Sequence, residues 1–224
     1  MIPKTIHYCW YGQAEKSDLI KKCINSWTEI MPDFTIKEWN ESNSPTNIPY
    51  LQTALKNKKY ANAANLTRYY ALSREGGIYL DTDIEAIKTF SPLLEHKCFI
   101  GFQSKRIISK QWVNNATMGS VKGFPFMEKM FKEIQRQYDG TEEANLSSPR
   151  ITTDVLKEMG LNEYKNQKIE DINIYTHEFF SPGIPNWYNE QAHGEDLFID
   201  QNENTYCIHH YEVSWKKLPP KILI

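Results

Sequence analysis

Ile6, Tyr8 and Trp10 occupy alternate positions of "TIHYCW", and the run ends in the turn-like "YGQ". Alternation of this kind predicts a strand with one buried face. In "KSDLIKKCINSW", Leu19, Ile20, Cys23, Ile24 and Trp27 recur at helical intervals, which predicts an amphipathic helix. "FTIKEWN" follows the break at "MPD" and reads as a second strand. Strand, helix, strand in that order predicts a parallel unit of a three-layer α/β sheet. Residues 44–49 read as loop, and Tyr50 to Glu75 as two helices meeting near "NKKYAN", the second closed by Gly76-Gly77. "IYLD", "IEAI", "CFIGF" and "ATMGS" read as short strands, "FPFMEKMFKEIQRQY" and "SPRITTDVLKEMG" as helices. "INIYTHEFFSP" and "YCIHHYEVSW" supply late strand-like pieces, and the segment near 183–204 predicts a long surface loop. With no internal repeat and no low-complexity linker, one domain spanning 1–224 is expected.

A hydrophobic content of 40% supports a packed core and argues against disorder. The formal charge of -2 gives no sign of a nucleic-acid partner. Four scattered cysteines, Cys9, Cys23, Cys98 and Cys207, form no CxxC pair, so reduced thiols and a cytoplasmic location are expected. The opening "MIPKTIHYCWYG" lacks a signal-peptide h-region, and no window approaches the roughly 18 apolar residues of a membrane span. The tail "WKKLPPKILI" mixes lysines with apolar residues, which suits either an ordinary terminus or a peripheral contact with the inner face of a membrane.

Chemistry concentrates in "GGIYLDTDIEA", residues 76–86. On a strand, Tyr79, Asp81 and Asp83 project to one side while Ile78 and Leu80 bury on the other. Ligands of open α/β sheets sit at the carboxyl ends of strands. Two close carboxylates repel, and a divalent cation relieves that cost while leaving positions for phosphate oxygens. The pair therefore reads as a diphosphate–metal clamp. A solvated turn is the bland alternative, and an aspartyl-phosphate nucleophile ranks lower because Glu85 stands where that motif places threonine or valine.

"KKYANAANLTRYYALSREGGIYLDTDIEA" resembles the signature of the family 32 glycosyltransferases, the DXD-containing sugar-binding group that includes bacterial capsular and exopolysaccharide enzymes. "IPKTIHYCWYG", "IKEWN", "IYTHEFFSP" and "HHYEVSW" are similar to its flanking motifs in order. The resemblance implies a GT-A fold with a Rossmann-like mixed α/β sheet. It further implies a nucleotide-sugar donor (UDP- or GDP-linked), a divalent Mn2+ or Mg2+, retention of configuration, and a glycan or lipid-linked oligosaccharide acceptor. By resemblance, Asp81 contacts ribose and donor sugar, Asp83 binds the metal, and Trp10 stacks on the base, with a core role for that tryptophan as the alternative. Arg68 and Asn65 share a helix face and would reach the donor; an ion pair of Arg68 with Glu75 is the structural alternative. His209 matches a metal-side histidine, Ser214 and Trp215 match residues near the diphosphate, and Tyr79 is a weaker donor contact. His209 and His210 point opposite ways on a strand, so one of them serves.

The chain departs from that pattern in two places. Ala64-Asn65 replaces the usual Ser-Asp, and "LSSPRITT" lacks the usual glycine before proline. Asparagine keeps the shape of aspartate and one acceptor, loses the charge and gains a donor. The substitution leaves two other readings open: a nucleotide-sugar-binding protein without turnover, and a nucleotide-sugar hydrolase or metal-dependent phosphatase.

Overall fold

A computed structural model describes residues 1–104, 112–184, 198–199 and 201–212. β1 (Thr5–Cys9), α1 (Asp18–Ile30) and β2 (Thr35–Trp39) form the parallel unit expected from their periodicity, with Ile6 opposite Ile36. α1 starts where Ser17 Oγ accepts the Ile20 N–H at 3.2 Å, the capping role that favours serine there. α2 (Pro49–Lys56) and α3 (Tyr60–Glu75) lead into β3 (Gly77–Leu80), which lies parallel to β1. β4 (Ile84–Ala86), β5 (Cys98–Phe102), β6 (Val113–Ser120), α4 (Pro125–Gln137), α5 (Ile151–Glu158), β7 (Gln167–Ile169) and β8 (Ile172–Tyr175) follow.

Seven strands make one mixed sheet in the order β2-β1-β3-β6-β5-β8-β7. β6 runs antiparallel to both its neighbours, and β5 pairs parallel with β8. Ile6, Trp27, Ile78, Leu80, Phe90 and Phe99 pack on one face. Leu66, Tyr69, Tyr79, Met118, Met130 and Leu156 pack on the other. Two further pairs stand apart: β9 (Gly183–Ile184) with β10 (Phe198–Ile199), and β11 (Cys207–His209) antiparallel to β4. The long loop expected near 183–204 is thus partly ordered into pairing, and its remainder falls largely outside the described residues.

The glycine pair where α3 passes into β3 is required by space as well as by helix ending. Gly76 (φ +71) and Gly77 (φ +108) lie in the left-handed region that L side chains rarely enter. A Cβ on Gly76 would sit 2.5 Å from Lys122 N, and one on Gly77 would sit 2.6 Å from Thr5 O. The close approach lets β3 settle between β1 and β6.

The strand itself ends sooner than its sequence predicts. β3 stops at Leu80, the Ile84 N–H bonds to Asp81 O at 3.1 Å, and a turn carries Thr82 and Asp83. The two aspartates therefore do not share one strand face. Asp-Thr-Asp is turn chemistry, and tertiary contacts supply what the strand would have.

Candidate active site

A cavity of about 430 Å³ opens at the end of β3, with Trp10, Asn65, Arg68, Asp81, Asp83 and His209 on its wall. β1 delivers Trp10, α3 delivers Asn65 and Arg68, the β3–β4 turn delivers both aspartates, and β11 delivers His209.

The aspartates have separate partners. Asp81 Oδ1 accepts from Arg68 Nη2 at 3.2 Å and from the Tyr79 hydroxyl at 2.9 Å. Arg68 is buried, donates from Nη1 to Asn115 O at 2.8 Å, and lies 4.7 Å from the Tyr79 ring centre. Burial works against its charge, but the Asp81 carboxylate offsets this and keeps the guanidinium firmly protonated. The ion pair considered from sequence thus exists with Asp81 in place of Glu75, whose carboxylate is taken by Lys37 at 2.6 Å. Tyr79 lines the cavity, yet its hydroxyl is committed to Asp81.

Asp83 is held from the other side. His209 Nε2 lies 3.4 Å from Asp83 Oδ2, and the Glu212 backbone N–H donates to the same oxygen at 2.8 Å. Burial alone would raise the Asp83 carboxyl. The adjacent His209 ring and the donated backbone hydrogens outweigh it and hold the group below the usual carboxylate range. His209 stacks on Tyr211, ring centres 3.8 Å apart. His210 turns away and meets Glu85 at 2.8 Å, as alternation on a strand requires.

An Asp–His pair on a cavity wall fits a hard cation that completes its shell with water and phosphate oxygens. Among the described residues no three His, Cys, Asp or Glu side chains are arranged to hold an ion by themselves. The ring's hydrogen needs one adjustment. The Ala116 N–H donates to Asn114 Oδ1 at 2.8 Å, so Asn114 Nδ2 faces His209 Nδ1 at 3.3 Å. That places the imidazole hydrogen on Nε2, toward Asp83. Ligation through His209 Nε2 therefore requires the Asn114 amide to turn over and give up its bonds to Ala116 N–H and Gln103 Oε1, the latter at 2.7 Å, whereas Asp83 is ready as it stands.

Trp10 is half-buried, donates from Nε1 to Ala14 O at 3.0 Å and carries Lys16 Nζ 5.2 Å from its ring. It lines the cavity and also packs against the edge of the core, so both roles considered from sequence have a contact behind them. Asn65 is also on the wall, with its amide hydrogens directed at Ala144 O and Ser147 Oγ. Ser214 and Trp215, like the tail, lie outside the described residues. Glu212 and Tyr60 line the cavity without having been singled out from sequence. An acidic residue two positions after "HH" was the only cue to the first, and it acts here through its backbone.

Residues 17–100 match the family described as glycosyltransferase sugar-binding region containing DXD motif. Inositol phosphoceramide mannosyltransferase 3 of Schizosaccharomyces pombe is 29% identical over 143 residues, 60% of this chain and 38% of that protein. The chain thus spans well under half of that relative. The solved PaToxG glycosyltransferase superposes with a TM-score of 0.55 at 22% identity, over 70% of this chain and 69% of its own. A galactosyltransferase solved with donor and acceptor sugar analogs superposes with a TM-score of 0.50 at 13% identity, over 95% and 90%. The fold is the GT-A glycosyltransferase fold, as the resemblance in sequence implies.

Proposed function

We propose that the protein is a metal-dependent, retaining glycosyltransferase that moves a sugar from a nucleoside-diphosphate sugar to a glycan or lipid-linked acceptor. The observation that carries this reading is one cavity walled by an Arg68-bound Asp81 and a His209-bound Asp83, both aspartates lying in the stretch that matches the DXD sugar-binding region.

Asp83 and His209 would hold Mn2+ or Mg2+, with the Glu212 backbone N–H fixing one Asp83 oxygen. Such an ion, when bound, supplies Lewis-acid stabilisation of a departing diphosphate, worth several kcal/mol. Arg68 and Tyr79 fix one oxygen of Asp81, leaving the other for ribose and sugar hydroxyls. Trp10 offers the base a flat face, and stacking of a base on an aromatic ring contributes about 1–3 kcal/mol. Ser214 and Trp215 would meet the diphosphate. In the retaining step the acceptor oxygen bonds to the anomeric carbon on the face the phosphate leaves. The acceptor's proton passes to the departing phosphate oxygen, so no protein nucleophile is needed. Observed inversion of configuration would sink this route.

The donor is a UDP- or GDP-sugar. For the acceptor, the fungal relative's name favours a lipid-linked species, and a capsular role draws no support from the relatives. Action at the cytoplasmic face of a membrane, with the tail as a peripheral contact, completes the proposal. No helix among the described residues is long and apolar enough to cross a membrane.

The test is a panel of nucleotide sugars with Mn2+, scored for nucleoside diphosphate release. One donor should be turned over, and Asp83→Ala should lower the rate at least a hundredfold. Added acceptors then separate transfer from hydrolysis. Donor binding without turnover, with every acceptor tried, would instead favour a nucleotide-sugar-binding protein, the reading that neutral Asn65 supports.

A further inference from the structure

β11 ends at His209, and residues 209–212 close around Asp83. The His210 N–H donates to Asp83 O at 3.0 Å, and the Glu212 N–H donates to Asp83 Oδ2 at 2.8 Å. Tyr211 stands between these two donors with φ +54. Lys58 and Glu170 are the other described non-glycine residues with positive φ, and of the three Tyr211 lines the cavity. A bulky residue in the left-handed region is an outlier, kept there when its surroundings over-determine it. Here the next residue is fixed at both ends: Glu212 donates its N–H to Asp83, and its carboxylate accepts from Ser17 Oγ at 3.0 Å, at the start of α1.

The bend brings two rings together. Alternate residues of an extended strand lie about 6.6 Å apart, whereas the His209 and Tyr211 rings stack with centres 3.8 Å apart and planes 22° from parallel. Asp83 and Asn114 meet the edge of the imidazole, and Tyr211 covers a face. The Tyr211 hydroxyl does not anchor this stack. It lies beside Ser181 and Asn114 but reaches neither in hydrogen-bond geometry.

Resting on the transferase reading, we propose that Tyr211 is a positioning residue that acts through His209. Its ring, turned back by the left-handed backbone, holds the imidazole plane in line with Asp83, toward the site of the divalent cation. A side chain already held in one orientation has little freedom left to lose when it takes a ligand. The role needs an aromatic face and a backbone that accepts positive φ, and it does not need the hydroxyl.

The experiment measures Mn2+ affinity by calorimetry on the full chain, with UDP and, separately, GDP present and nucleotide blanks subtracted. Tyr211→Asn deletes the ring but tolerates the left-handed backbone, and it should bind Mn2+ about tenfold more weakly, as loss of an outer-shell partner does. Tyr211→Phe should restore the affinity to within about twofold of wild type, since the hydroxyl it removes has no partner. In a His209→Ala background, Tyr211→Asn should cost nothing further, because the two act as one unit. Wild-type affinity in Tyr211→Asn would overturn the proposal, even with a lowered melting temperature, which marks a merely structural role. So would Tyr211→Phe losing as much as Tyr211→Asn, or a Tyr211→Asn loss that persists without His209. If Tyr211→Asn does not fold, Tyr211→Gly decides on the same criteria. Affinity lost in Asp83→Ala but unchanged in His209→Ala would overturn the proposal and leave the transferase reading standing. A wild type that takes up no Mn2+ with either nucleotide would remove that reading, and the proposal with it.

Discussion

His7 must be uncharged for β1 to sit where it does. The Trp39 indole N–H donates to its Nδ1 at 3.1 Å, and its Nε2–H donates to Gly76 O at 2.8 Å. An indole nitrogen only donates and a carbonyl only accepts, so one neutral tautomer satisfies both. Burial lowers the ring's pKa below the usual value. Above about pH 6.5 the ring is neutral whether the chain is folded or not. As pH falls through that value, the unfolded chain takes up the proton first, and stability is lost toward the depressed folded value. The contribution is at most about 1.4 kcal/mol per pH unit. Urea titrations from pH 8 to 5 should show this slope. His7→Gln should flatten it while costing about 1–3 kcal/mol at pH 8; an unchanged slope would contradict the assignment.

Arg68 offers a second test at the same scale. Removing one partner of a buried ion pair costs about 3–5 kcal/mol. Because the Asp81 side chain is 29% exposed, Arg68→Ala should fall at the lower end, near 3 kcal/mol, and abolish turnover. Arg68→Lys keeps the charge, but one ammonium cannot reproduce the fork that reaches both Asn115 O and Asp81. It should therefore retain more stability than activity, measured by denaturant melts beside donor turnover.

Among the elements, Gly77 and Gly160 make a matched pair. Their φ values are +108 and +111, yet a Cβ on Gly160 meets nothing within 4 Å, whereas on Gly77 it meets Thr5 O at 2.6 Å. Backbone strain alone costs about 1–3 kcal/mol, and both Gly→Ala variants bear it. Gly77→Ala should lose roughly 2 kcal/mol more by denaturant melt, since the sheet backbone has to shift. Equal losses would mean that the sheet accommodates the methyl.

α1 and β2 are legible from periodicity because each keeps a wet face, whereas β1 is buried on both faces and is legible only through its alternating residue types. β7 is not legible: "QKI" is three residues long with one buried side chain. α3 is recognisable as helix but not by its faces. Asn62, Asn65 and Arg68 look like a solvated stripe and are buried on partners tens of residues away. At the site, Asp81, Asp83 and His209 stand out by residue type. Glu212 does not, because its link to Asp83 is a backbone N–H that any residue carries. The Asp81–Asp83 turn reads as strand until the contacts with β6 and β11 are known.

For the molecule as a whole, the cavity draws its wall from the first strand, the middle of the chain and the end of the described residues. A ligand seated there bridges parts that no local contact joins, and it should stabilise the native state by mass action. At a hundred times its dissociation constant the gain is about 2.7 kcal/mol. UDP or GDP with Mn2+ should raise the melting temperature of the wild type, and the part of that rise that needs Mn2+ should vanish in Asp83→Ala.

The four thiols are all buried and free. Burial pushes Cys9, Cys23 and Cys207 up to about 12 and Cys98 up as well, so none is a ready nucleophile while its surroundings stay closed. They are silent reporters, one on the wall of the cavity and three deep in the packing. A maleimide added to the native protein records, thiol by thiol, how often each neighbourhood opens. Nucleotide should slow the clock at Cys9 before it slows the others.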